Sequence, residues 1–460
     1  MALLQPDHAL ELLRGLVKNS PADQTEATLE CVEDRFVRFA DAGPTQNADR
    51  ERYELTIRVR LSPADSGRGP FGGWREARAS CGTLDEASTR SALERALTLA
   101  EYSEPNAELV PMGGPNQVRE SAAERPTMDH TFREKAAWID QAVSACEKRD
   151  LTPAGLVQTT AMSRTLVNSM GREVHGARSR AAFALTATNT GGDGSGFAEA
   201  ICANVERIDA GAVIRRAVGK AIQGRAPMAI DPGDYTVVLE PPAVSSLLLF
   251  PAYHGFGARE VHEKSSFLCG RIGERMFPEA LSIHDDAAND VYPGIHFDGE
   301  GSPRQRVPLL ANGALQHPVT DERWARKLGV PNSGHARPQP SPDGPIATNL
   351  VVSPGTESLD QLVAGVKRGL LVSQFHYTNM IEPRDLTLTG MTRNGTFLIE
   401  NGQVVGAVKN LRFTQPLIDA LRQVSGVGNR VEVAGALFDG EVVCPALRIE
   451  GFRFTSTTDF

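Results

Sequence analysis

Residues 53–61 read YELTIRVRL. Tyr53, Leu55, Ile57, Val59 and Leu61 fall on one side of an extended chain, and Glu54, Thr56, Arg58 and Arg60 on the other. That period of two belongs to a half-buried strand and not to a helix. Working outward, TEATLECVEDRFVRFA (25–40) is a second such strand, and residues 7–19 make an amphipathic helix before it. Downstream, SGRGPFGGW (66–74) reads as a turn into a third strand near REARASC (75–81). Thr83 with Glu86 predicts a capping box opening a helix to about Tyr102, and another helix covers roughly 130–148.

The middle of the chain continues in this manner. Strands are expected around GLVQTTAMSRTLVNS (155–169) and RSRAAFALTATN (178–189), and a helix near 208–223. The glycine cluster GGDGSGF (191–197) lacks the lysine and the strand-to-helix register of a phosphate loop, so it reads as a turn. DPGDYTVVLEPPAVSSLLLF (231–250) then gives a boundary, a strand and an apolar helix. Beyond it come short strands and turns, with Asn312-Gly313 and Asn401-Gly402 as two-residue hairpin signals and one helix, ESLDQLVAGVKRGLLV (357–372). The expected fold class is α+β, in two domains. Residues 1–228 form antiparallel strands with flanking helices. Residues 229–460 form a mostly antiparallel sheet or half-barrel with a few helices.

Composition bounds the function. The 460 residues are 41% hydrophobic and 23% charged, as in an ordinary folded protein. A net charge of -9 argues against a nucleic-acid partner, which would call for a concentrated basic surface. No stretch has the run of about 20 apolar residues that spans a bilayer, and the opening MALLQPDHALELLRGL lacks the features of a signal peptide, so no membrane partner and a cytoplasmic location are expected. Six dispersed cysteines without a C-x-x-C pair read as free, mostly buried thiols.

His254, His262, His284 and His296 lie near Glu260, Glu263, Asp285, Asp286 and Asp298 in sequence, which raises the question of a metal. Two helical histidines share one ion when four residues apart, because they then differ by only about 40° in direction. No pair here has that spacing. A displaced set, His254, His262, Glu263 and Cys444, is the metal-binding alternative. No G-x-S-x-G elbow marks a nucleophilic serine, and Cys269 among Phe267, Leu268 and Ile272 reads as a core residue.

Four segments together, YHGFGAREVHEKSSFLCGRIGE (253–274), PGDYTVVLEPPA (232–243), TNLVVSPGTESLDQLVAGVKRGLLV (348–372) and GTFLIENGQVVGAVKN (395–410), resemble the TldD/PmbA (TldD/TldE) family of cytoplasmic peptidase subunits. In that family the TldD type carries H-E-x-x-x-H eleven residues ahead of a segment resembling SSFLCGRIG (265–273). By this register His254 takes the place of the second histidine, while the first histidine and the glutamate fall on Leu249 and Phe250, which have no donor atoms for zinc. Cys444, before PALRI, is a poor match for the family's cysteine ligand. The resemblance is therefore to the metal-free TldE (PmbA) type. It implies no cofactor in this chain, zinc in a TldD-type partner subunit, and a joint metallopeptidase acting on small or unfolded peptides, including maturation of modified peptides. His335, His376, Tyr377 and Arg393, with Asn394 beside it, are the candidates for lining a peptide cavity, each with a solvated or structural reading as the alternative. Two other functions stay open: a self-sufficient metallopeptidase using the displaced set, and a non-catalytic, peptide-binding homodimer.

Overall fold

The alternation at 53–61 lies within β2 (Gly43–Leu61), which pairs antiparallel with β1 (Gln24–Ala40) along both strands. The computed structural model describes residues 3–62, 73–435 and 440–458. With β3 (Arg75–Cys81), β4 (Leu151–Asn168), β5 (Glu173–Asn189) and β6 (Ser195–Cys202), the first two strands build a six-stranded antiparallel sheet in the order β3-β2-β1-β4-β5-β6. Leu55, Ile57 and Val59 are fully buried against α1 (Pro6–Lys18) and α2 (Glu86–Tyr102). After a short α3 (Arg125–Asp129), α4 (Phe132–Glu147) and α5 (Ala210–Gln223) cover the same face over β4 to β6, through Ile139, Phe183 and Ala217.

Two local expectations change. The cap of α2 is Asp85, whose carboxylate accepts from the Ser88 N–H, rather than Thr83. The predicted turn before β3 falls largely on residues 63–72, outside the described residues. The larger correction concerns the polar side of the sheet. Arg58 and Arg60 are as buried as the apolar row, at 2% and 3% exposure, because the 110–113 segment together with Glu300 and Glu322 of the C-terminal half covers them. Ile295 and Phe297 pack there on Leu166 and Val174. Arg58 survives burial by pairing with Glu26 at 2.9 Å and Glu76 at 3.3 Å, and Arg60 reaches Glu76 at 2.6 Å.

The second sheet has eleven strands: β7 (Gly233–Leu239), β8 (Ile283–Asp285), β9 (Val307–Ala311), β10 (Ala314–Leu315), β11 (Leu350–Val352), β12 (Arg368–Glu382), β13 (Thr387–Glu400), β14 (Gln403–Ala407), β15 (Leu411–Pro416), β16 (Val424–Gly435) and β17 (Glu441–Thr457). It is mixed. Most pairs are antiparallel, but β7 runs parallel to β12 and β11 parallel to β17. The half-barrel expected from sequence also closes: β7 pairs with β12 on one side and β17 on the other, and β13 and β15 complete a five-stranded ring. Phe375, Phe413 and Phe452 pack together, with Phe375 ring centroids 4.6 Å from Phe413 and 5.7 Å from Phe452.

Both Asn-Gly pairs turn hairpins, β9 into β10 and β13 into β14, with φ of 48° and 76° at Asn312 and Gly313 and of 49° and 77° at Asn401 and Gly402. The helix expected over 357–372 is only six residues long. Ser358 and Gln361 form a capping box for α9 (Leu359–Ala364), after which Gly365 ends the helix and RGLLV enters β12. Among the described residues, no helix is long and apolar enough to cross a membrane.

Immediately after β7, paired prolines start α6 (Pro241–His254). It is apolar on every side, as a helix surrounded by protein must be. Its N-cap Glu240 is itself buried and ion-paired with Lys220 of α5, so α6 is anchored to both sheets. Short helices α7 (Ala258–His262), α8 (Glu322–Leu328) and α10 (Leu417–Arg422) complete the chain.

Candidate functional site

The last turns of α6 present Leu249, Ala252 and Tyr253 to a cavity of about 400 Å³ between the two sheets. Met162, Arg164 and Arg178 of β4 and β5 form one wall, and residues of the 294–304, 336–338 and 346–350 segments form the others. A second recess of about 280 Å³ continues along the polar face of β1 and β2, sharing Arg164, Gly299 and Pro338 with the first. The site thus joins residues from both halves of the chain.

Its electrostatics follow from burial. Asp298 is 1% exposed; Oδ1 accepts from the Glu300 and Ser302 N–H groups, each at 2.9 Å, and Oδ2 from the Ala336 N–H at 2.8 Å. Burial pushes both Asp298, to about 6, and neighbouring Glu300 upward, and the Asp298 charge further disfavours ionisation of Glu300. Arg304 donates from Nη2 to Asp285 Oδ1 at 2.8 Å, while its buried Nε–H has no acceptor. Arg337 donates from Nε to the Gly344 carbonyl at 3.1 Å, and its guanidinium lies 5.4 Å from the Tyr253 ring centroid. Arg164 is neutralised by Glu30 at 2.6 Å. These groups can bind and orient a polar ligand. Among the described residues, no three His, Cys, Asp or Glu side chains gather as a metal site.

Residues 232–456 match the family model of the PmbA/TldA metallopeptidase C-terminal domain. A metalloprotease of Methanothermobacter thermautotrophicus is 26% identical over 326 residues, 66% of this chain and 71% of that protein. The metalloprotease PmbA of Escherichia coli O157:H7 is 28% identical over 196 residues, 42% of this chain and 40% of that one. In fold, the chain is similar to TldE from Thermococcus kodakarensis, with a TM-score of 0.83 at 20% identity over 97% of this chain and 99% of that one. The chain is a TldD/PmbA family member.

In this TldD/PmbA chain, the motif positions on α6 diverge in direction. Leu249 lines the cavity, Phe250 is buried in the core behind it, and His254 emerges exposed at the helix end. Partial burial, helped by the charge of Arg337, lowers the pKa of His254. The displaced metal set does not assemble. His262 packs on Trp324 at a ring distance of 5.4 Å, and Glu263 pairs with Arg259 at 3.0 Å. Cys444 is fully buried, donates its S–H to the Pro241 carbonyl at 3.5 Å, and has its thiol pushed far up by burial. The reason is the break between α6 and α7 at residues 255–257, which sends the two histidines to different neighbours.

The expected cavity residues also scatter. His335 is not a loop side chain facing a cavity: it is 0% exposed, with Nε2 3.0 Å from Asp285 Oδ1 and Nδ1 3.0 Å from Ser333 Oγ. His376 and Tyr377 meet edge-to-face on β12, ring centroids 4.6 Å apart, and line neither recess described above. Arg393 and Asn394 line a different cavity, of about 690 Å³, beside the 192–195 turn. That larger cavity has exposed cations, Arg393 and Lys409, whereas the cavity under α6 carries a buried donor without a partner, Arg304 Nε. The latter is the stronger site on physical grounds. Sequence reading missed Arg178, Arg304 and Arg337. The available signal was charge at inward positions: Arg178 lies on the polar face of a long strand, and Arg337 is two residues from a buried histidine.

Proposed function

We propose that this chain is a TldE-like subunit that pairs with a zinc-bearing TldD-type subunit to form a cytoplasmic metallopeptidase for small or unfolded peptides, including precursors of modified peptides. The supporting observation is α6: it borders a polar cavity with Leu249 and Tyr253 at the positions facing inward, so the helix shapes a binding wall and supplies no metal ligand. Zinc does not fit the residues present here, since Leu249 and Phe250 offer no lone pair and His254 stands without a second ligand. In this reading the partner carries out bond cleavage. This chain contributes the wall against which an extended peptide is positioned, through polar groups and exposed backbone edges.

The test is to purify the chain alone and together with a TldD-type chain containing H-E-x-x-x-H, measuring metal content by elemental mass spectrometry and hydrolysis of an unstructured peptide. The expected outcome is a co-purifying complex with zinc and activity, and a lone chain with neither. Near-stoichiometric zinc and chelator-sensitive hydrolysis in the lone chain, or no association with the partner, would overturn the proposal.

A further inference from the structure

The polar face of the first sheet is rich in arginine, and most of these side chains are matched. Arg164 pairs with Glu30, Arg172 with Glu322 at 2.9 Å, and Arg180 with Glu441 at 2.7 Å. Arg178 is the exception. It is half-buried, directly opposite Met162 in the β4–β5 register, lines the cavity under α6, and has no carboxylate within ion-pair distance among the described residues. Across the same cavity Arg337 is half-buried too, touching a backbone carbonyl and the Tyr253 ring; Glu260 is near enough to feel its charge, but among the described residues no carboxylate is ion-paired with it.

Two buried donors add to this imbalance. The Arg304 Nε–H lacks an acceptor although the side chain is 8% exposed. The Tyr292 hydroxyl also lacks a partner, in a recess that shares Arg178, Asn349 and Glu441 with the main cavity. The carboxylates in the lining do not correct the balance: Asp298 is engaged by three backbone N–H groups, and Glu441 by Arg180. Charged and polar groups withdrawn from water usually have partners within the fold. A set dominated by N–H donors and cations is complementary to an acceptor-rich anion.

We infer that the cavity under α6 takes a carboxylate group of the bound peptide, with Arg178 and Arg337 as the residues that set this specificity. A guanidinium presents a planar fork of N–H donors that matches a carboxylate, and such charge-assisted bonds are about twice as strong as neutral ones. This inference rests on the reading of the cavity as a peptide site and names the class of peptide it selects. The carboxylate is either a chain terminus or an acidic side chain.

The experiment measures binding of the full-length chain to three fluorescently labelled, unstructured peptides of one core sequence. One has a free C-terminus and no acidic side chain, one is amidated and neutral, and one is amidated with a single internal glutamate. At low salt, at least one carboxylate form should bind about ten-fold tighter than the neutral form. Whichever form is preferred identifies the source of the carboxylate. In the Arg178→Gln, Arg337→Gln double variant the ratio of carboxylate-form to neutral-form affinity should fall to about one, and Arg178→Lys should keep part of the preference. Should the double variant fail to fold, Arg178→Gln alone serves, because among the described residues the Arg178 side chain has no hydrogen-bond partner to lose. Equal binding of all three peptides, no binding of any, or a preference that survives in the variants would overturn the inference. Those results leave subunit pairing untouched, whereas failure to associate with a TldD-type chain would overturn the pairing and leave a carboxylate preference standing.

Discussion

Asp285 is the residue on which the interior behind the cavity depends. Fully buried, it receives Arg304 and His335 on one oxygen and the Asn349 N–H on the other, at 2.8 Å. Burial alone would raise its pKa; Arg304 and His335 outweigh that and hold it well below the usual range. His335 is shifted the other way, first by burial and then by the charge of Arg304, so its imidazole is protonated only at a pH below its ordinary value near 6.5. As pH falls through that value, the unfolded chain takes up the proton before the folded one does, and stability declines. Thermal melts between pH 7.5 and 5 should therefore show a loss for the wild type that is smaller in His335→Gln, and equal slopes would count against a buried neutral imidazole. A GHARPQP loop gives no sequence signal of this role, because the partner aspartate lies on a strand far away in the chain.

At the scale of elements, the sequence was legible wherever the cause was local. Alternation identified β1 and β2, and Asn-Gly identified both hairpins, since left-handed backbone at two successive positions is a property of the dipeptide. Gly313 shows how strict this is. A Cβ there would lie 2.0 Å from the Phe277 carbonyl oxygen, and the backbone φ is 76°. Gly313→Ala should lower stability by about 2 kcal/mol or more through strain and displacement of the 277–278 backbone, measured by urea denaturation; a change below about 0.5 kcal/mol would mean the hairpin relaxes freely. What failed was non-local. RGLLV (368–372) is apolar enough to extend a helix, and only its pairing with β7 and β13 makes it a strand. The burial of Arg58 was equally invisible, because the cover comes from residues 110–113 and from Glu300 and Glu322, all distant in the chain.

For the whole molecule, polar pairs tie the halves together beside the apolar packing of Ile295 and Phe297 on Leu166 and Val174. Arg172, at the β4–β5 turn, donates to the Glu300 carbonyl at 2.6 Å and pairs with Glu322, both beyond the first sheet. Arg216 of α5 reaches Glu432 of β16 at 3.0 Å. Replacing Arg172 by Ala strips one side of a buried pair, which should cost about 3 to 5 kcal/mol and lower the midpoint of a single shared unfolding transition. Two separate transitions, with only one shifted, would show that the halves unfold independently. The candidate site was least legible at this scale, since the residues around the cavity come from seven stretches that nothing but the fold brings together. The ring of the second sheet carries a consequence for biosynthesis. Its first strand, β7, must wait for its last, β17, and α6 hangs from β7 in the meantime. During translation, the fully apolar α6 and the aromatic interior would therefore stay uncovered until nearly all of the second half has left the ribosome. That interval is when a chaperone would have most to bind and when a nascent chain would be most prone to aggregate.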